Sequence, residues 1–206
     1  MERLGTLHTY QYFNSLGRSL KAVSVADLRR VAAIFETAYS SDRTMYSCGN
    51  GGSAATASHF AVDMSKNTRL PGVSPVRAVS LVDHVPALTA WANDVGYEEV
   101  FSGQLAGLGV PGDVVVGIST SGNSPNVLRA LTYGREHGMT TVGLFGPTGG
   151  RARDLCDAWV AAPADSIEEQ EDLHMTMIHV LTRHMREVVR ESSGAAIAVA
   201  VAGEPR

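Results

Sequence analysis

Glycine clusters in this chain sit directly behind short β-branched runs, which is how strand-to-helix turns are written in α/β proteins. The run Thr44-Met45-Tyr46-Ser47 is followed by Gly49-Asn50-Gly51-Gly52, and the apolar run ending at Ile118 by Ser119-Thr120-Ser121-Gly122-Asn123-Ser124-Pro125. Repetition of this theme predicts five strands, at residues 44–47, 76–82, 113–118, 140–145 and 159–162. The third and fourth are apolar enough to be covered on both faces. Helix-like spacing fills the intervals at 53–66, 85–91, 97–107 and 124–137, and two further helices, 7–23 and 24–39, precede the sheet. Ser24 and Ser53 are the expected N-caps of their helices. Ser124 at the N-cap, Pro125 at the first helical position and Gly138 past the end frame the helix between them. The expected fold is a three-layer α/β/α sandwich on a five-stranded parallel sheet. It forms a single domain over residues 1–192, with residues 193–206 as a flexible tail.

At 206 residues the chain has room for one such domain. Its 17 Lys and Arg against 21 Asp and Glu leave a net charge of −4, which argues against an electrostatic grip on nucleic acid or anionic lipid. Small, neutral or phosphorylated partners stay open. Cys48 and Cys156 cannot build a disulfide framework, and no secretory h-region follows Met1, so the expected setting is a reducing cytoplasm. No apolar run approaches the roughly 20 residues of a membrane span.

Two of the turns can hold an anion. Residues 48–54 spell G-x-G-x-x-A between a strand and a helix, where free N–H groups and the dipole favour negative charge. A dinucleotide site is the rival reading. Against it, the first acid near the end of the next strand, Asp83, lies some 30 residues on, where about 20 is usual. A tight turn with no ligand is the bland one. The second turn offers four hydroxyls, from Ser119, Thr120, Ser121 and Ser124, beside a helix start. They can surround a phosphomonoester without Lys or Arg, or simply cap and turn.

Proton-transfer candidates come from two helices. His59 and Asp63, four apart, share a face. Alone, such a pair is more often a satisfied structural contact. The segment from Ser166 to His179 opens a long helix with Ser166 and Glu169 as a capping box. Glu168, Asp172, Met175 and His179 fall on one stripe with Glu171 at its side, while Leu173, Met177, Val180, Leu181 and Val188 face away. The acidic first turn is partly explained by the helix dipole. His174 and His184 lean toward the apolar side, and His8, His84 and His137 carry no assignment.

With these pieces in place, the chain resembles the phosphoheptose isomerases of the SIS (sugar isomerase) superfamily. The blocks that carry the likeness are C-G-N-G-G-S at Cys48 to Ser53, H-F-A at His59 to Ala61, N-D at Asn93-Asp94 and F-S at Phe101-Ser102. They continue with G-D-V at Gly112 to Val114, G-I-S-T-S-G-N-S at Gly117 to Ser124 and H-x-x-x-I-H at His174 to His179. The resemblance implies an SIS fold and a homotetramer with active sites shared between subunits. It also implies a phosphosugar substrate, sedoheptulose 7-phosphate, converted to an aldoheptose 7-phosphate through a cis-enediol.

By the same resemblance Ser119, Thr120, Ser121 and Ser124 hold the phosphate. Asn50, Gly51, Gly52, Ser53, Asp94 and Glu168 line the sugar, Asp63 is the base and His179 the acid. Zinc, bound in some members, would take His59, Asp63, Glu171 and His179. The chain departs from the family where Asp63 replaces the usual Glu, Glu171 the usual Gln, Glu168 the usual Asp, and Thr56 another Asp. The expectation is that a carboxylate has been traded between helices, so that Glu171 acts as partner to Asp63 or as the base in its place. The other class of reading is a non-catalytic SIS module that senses a phosphosugar or binds a protein partner.

Overall fold

The computed structural model describes the backbone of residues 2–202 and the side chains of residues 8–193. Two helices, α1 (Glu2–Ala22) and α2 (Val25–Ser40), lead into β1 (Thr44–Cys48), α3 (Gly52–Val62) and a π-helical turn (Asp63–Asn67). Then follow β2 (Arg77–Ser80), α4 (Val85–Asp94), a 3-10 turn (Tyr97–Glu99), α5 (Ser102–Leu108), β3 (Val114–Ser119), α6 (Pro125–Glu136) and β4 (Thr140–Phe145). A last 3-10 turn (Ala152–Leu155), β5 (Ala158–Ala161) and α7 (Ile167–Ala202) complete the chain. The backbone of α7 is helical through most of the stretch expected as a tail; residues 203–206 lie outside the described residues.

All five strands are parallel, in the order β2-β1-β3-β4-β5. Central β3 is buried along its whole length, as an apolar run covered on both faces requires. Its alternation divides the core: Val114, Val116 and Ile118 pack with Phe35, Phe60, Leu173 and Ile178 from α2, α3 and α7. Val115 faces the other way, toward Leu105, Val127 and Leu131 from α5 and α6. A side chain at Gly117 would press on Val127 and Leu131, so glycine lets α6 sit close on the sheet. Edge strand β2 is mostly open, and its pairing is shorter than the apolar run that encodes it.

Because β1 leads outward to β2 and β3 leads the other way, the sheet has a topological switch point between β1 and β3. Open α/β sheets bind ligands at the carboxyl ends of the strands there. Both glycine- and serine-rich turns leave the sheet at this point. No helix among the described residues is long and apolar enough to cross a membrane.

Candidate active site

The turn after β1 is shaped by Gly51, whose φ of 56° lies in the left-handed region, and it starts α3 at Gly52. Ser53 is therefore inside the first turn and buried, not the expected N-cap, and Gly51 contributes no side-chain cap. The free end of α3 is met instead from α7. The Glu171 carboxylate lies so close to Gly52 that a Cβ there would fall 2.2 Å from Glu171 Oε1. A negative charge is stabilised at that helix end. Thr56 is buried and donates to the Gly52 carbonyl at 3.1 Å, an ordinary helix back-bond.

Asn50 ties the two turns together. Its amide exchanges 2.8 Å hydrogen bonds in both directions with the amide of Asn126 on α6, and Tyr97 Oη donates to Asn50 Oδ1 at 3.0 Å. Sequence reasoning missed Asn126 and Tyr97; an amide at the second position of a well-capped helix carries no signal of a distant partner. Beside them Gly49, Asn50, Gly51, Ala55, Asp83 and Tyr97 line a cleft of 240 Å³. Asp83, the acid of the dinucleotide reading, is hydrogen-bonded by Ser58. Asp94 is exposed at the end of α4 and accepts from Asn93 at 2.8 Å.

In the turn after β3 three of the four hydroxyls converge. Ser119 Oγ lies 3.4 Å from Ser121 Oγ and 3.2 Å from Ser124 Oγ. The Gly122 N–H donates to Ser119 Oγ at 3.2 Å. Ser124 precedes α6 as expected but caps it with no side-chain bond, leaving its hydroxyl to this group. Thr120 contributes its carbonyl, which accepts from Gly146 N at 3.0 Å. The loop after β4 braces the turn further, with Ala152 N donating to the Gly122 carbonyl at 2.9 Å and Arg151 N to Asn123 Oδ1 at 3.1 Å. Sequence reading passed over this loop, although Gly146-Pro147-Thr148-Gly149-Gly150 is a plain turn signal.

Further along α3 a second cluster forms. His59 Nε2 is 3.0 Å from His179 Nε2 and 3.4 Å from Asp63 Oδ2. One ligand atom from each of the three lies within 4.8 Å of the others. Asp63 is buried, whereas His179 is exposed. Two imidazoles and one carboxylate are the donor set of a three-ligand zinc site with an open position, so these residues fit that ion. Glu171 does not join them. It precedes His179 by eight residues, about 12 Å along α7, and packs at the far end of α3 from Asp63. The proposed exchange of carboxylates between Asp63 and Glu171 is thus not made within one chain.

The rest of the acidic stripe is divided. Ser166 Oγ accepts from Glu169 N at 3.2 Å, one half of the expected capping box. The Glu169 carboxylate does not return to it, but accepts from Ser15 at 3.1 Å and Ser19 at 3.5 Å on α1. Tyr12 Oη donates to Asp172 Oδ2 at 2.7 Å, and this bond pushes the phenol up to about 12. Glu168 is exposed and adds its charge to the same surroundings of Tyr12. His174 is fully buried, as its place on the apolar side predicts. His184 is instead at the surface, paired with Glu36 at 2.5 Å. His84 caps α4 by accepting from Ala87 N, and His137 stacks on Tyr133.

The SIS domain family matches residues 11–146. Phosphoheptose isomerase of Helicobacter pylori is 41% identical over 169 residues, covering 81% of this chain and 86% of the relative. That of Chlorobium phaeobacteroides is 40% identical over 177 residues, covering 85% and 76%. The solved phosphoheptose isomerase of Neisseria gonorrhoeae superposes with a TM-score of 0.82 at 32% identity, covering 88% of this chain and 98% of that one. On sequence and on fold, the chain belongs to the SIS domain family and, within it, to the phosphoheptose isomerases.

Proposed function

We propose that the chain interconverts sedoheptulose 7-phosphate and an aldoheptose 7-phosphate through a cis-enediol. The observation that carries this reading is the convergence of His59, Asp63 and His179 from two helices, in a chain of this family. The phosphate is assigned to Ser119, Ser121 and Ser124, with Thr120 beside them. Hydroxyls and a helix start orient a dianion without a full ion pair. Asn50, Gly51, Gly52, Ser53, Asp94 and Glu168 are assigned to the sugar.

In the open ketose, Asp63 takes a proton from C1, the C–H electron pair becomes the C1=C2 bond, and O2 gains a proton. Return of the proton to C2 with loss of the O1 proton yields the aldose. His179 carries the proton between the two oxygens. Asp63 is given the base role over Glu171 because it shares the cluster with His179. A zinc ion would be held by His59, Asp63 and His179, and would polarise the sugar carbonyl.

The assembly is proposed to be a homotetramer with shared sites. Val62 and Val180, which neighbour Asp63 and His179 in sequence, are exposed in the single chain, and α4 buries no residue of its own. A cytoplasmic setting accords with the free thiols of Cys48 and Cys156, each raised to about 12 by burial.

Incubation with sedoheptulose 7-phosphate, followed by NMR of the sugar, tests the proposal. New anomeric signals are expected, and Asp63→Asn should slow turnover about 100-fold or more while Glu171→Gln does less. Line broadening of the ketose without turnover would make the chain a phosphosugar sensor instead.

A further inference from the structure

The π-helical turn that begins at Asp63 is the irregular segment nearest the histidine cluster, and π-turns mark functional positions more often than regular helix does. The residue four positions on from the first of a helical turn is its neighbour on the helix surface. Here that residue is Asn67, and its Nδ2 donates to Asp63 Oδ1 at 2.5 Å. The two oxygens of Asp63 thereby have different neighbours. Oδ1 is engaged by the amide, and Oδ2 faces His59 Nε2 at 3.4 Å.

The turn is also fixed from outside. Arg186 Nε donates to the Asn67 carbonyl at 3.0 Å. Arg186 follows His179 by seven residues, two turns of α7, and so lies on the same face. One ridge of α7 therefore supplies the imidazole that meets His59 and the guanidinium that holds the backbone of Asn67. A carboxylate on a side chain as short as aspartate has little freedom to find its partner, and a fixed donor on its other oxygen defines which oxygen is presented.

We propose that Asn67 is a positioning residue for the isomerisation: its amide, set by the π-turn and by Arg186, holds Asp63 Oδ1 and turns Oδ2 alone toward the His59–His179 pair. The assignment rests on the reading of Asp63 as the base. Neighbours that orient a reacting or ligating side chain typically contribute 10–100-fold to activity when removed.

The test combines kinetics with a readout independent of turnover. Asn67→Ala and the isosteric Asn67→Asp, which loses the donor, should lower kcat about 10–100-fold with KM within about twofold of the parent. Asn67→Gln, which keeps an amide donor, should recover part of the loss. In an Asp63→Asn background, Asn67→Ala should cost nothing more. Imidazole 15N spectra at one fixed pH should show the His59 ring signals displaced in Asn67→Ala and Asn67→Asp, and nearer the parent in Asn67→Gln. Unchanged His59 signals in both donor-less variants, or parental kcat in an active enzyme, would overturn the proposal. If the parent shows no isomerase activity while the His59 signals move as described, the positioning stands and the function assigned to Asp63 fails. A variant that does not fold, judged by its melting curve, leaves the decision to the other two.

Discussion

His174 carries a side chain that the proposed chemistry does not use and that folding has to accommodate. It is fully buried, and neither ring nitrogen has a partner in hydrogen-bonding geometry among the described residues. Burial lowers its pKa from 6.5 to about 4, against a weaker opposite influence from the Phe145 backbone. Between those values the unfolded chain binds a proton that the folded chain refuses. This contribution to stability is therefore complete above pH 6.5 and is lost as the pH falls toward 4. A gap of that size corresponds to about 3 kcal/mol. Urea midpoints at pH 7 and pH 4.5 should show His174→Leu losing less stability on acidification than the parent, since the imidazole that the unfolded chain protonates and the folded chain does not is gone. Equal losses would remove His174 as the cause. The sequence separated His174 from His179 by helical phase alone, because burial follows periodicity. It misplaced His184, whose partner Glu36 lies 148 residues away and leaves no local mark.

Elements whose faces are both covered were legible almost to the residue: β4 begins and ends where its apolar run does, and central β3 is displaced by one position. Edges and helix starts were less so. A run such as residues 76–82 encodes more apolar chain than the edge strand β2 pairs, and Ser53 could not reveal that Gly51 would start α3 earlier. The π-turn was invisible, since no pattern within 63–67 marks it and its outside contact, Arg186 on α7, lies 119 residues away. The serine turn was legible as an anion cradle, but its brace was not. Gly122 has a φ of 61°, and a Cβ there would lie 2.1 Å from the Gly149 carbonyl. Side chains at Gly146 and Gly150 would likewise strike the Thr120 and Ser121 carbonyls. Gly122→Ala should therefore destabilise the fold by about 1–3 kcal/mol. It should also raise KM for the phosphosugar, as the hydroxyls of Ser119, Ser121 and Ser124 lose their spacing. Denaturant melts and steady-state kinetics on the same preparation would check both. A stable variant with unchanged KM would mean that the loop after β4 does not set the cradle.

At the scale of the molecule, the two halves of the candidate site sit at different levels. The turns of Gly51 and Ser119 lie at the carboxyl edge of the sheet, whereas His59 is seven residues, about 10 Å, along α3 from Gly52. His179 is exposed, and Val62 on α3 and Val180 on α7, next in sequence to Asp63 and His179, leave an exposed apolar rim on those two helices. If a second copy covers that rim, the sugar held by one chain's serines meets the imidazole of another, and each complete site draws on two chains. Two defective variants then become complementary. Ser119→Ala combined with Ser124→Ala in one chain removes two of the three converging phosphate hydroxyls, and His179→Asn in the other removes the proton carrier. Each alone should be nearly inactive. Mixed, dissociated and reassembled, they should regain turnover well above either, because some mixed assemblies unite an intact cradle with an intact imidazole. Activity no greater than the sum of the two, with mixed assemblies demonstrated by native mass spectrometry, would place both halves of the site on one chain. A single sugar phosphate would then have to bridge the distance along α3.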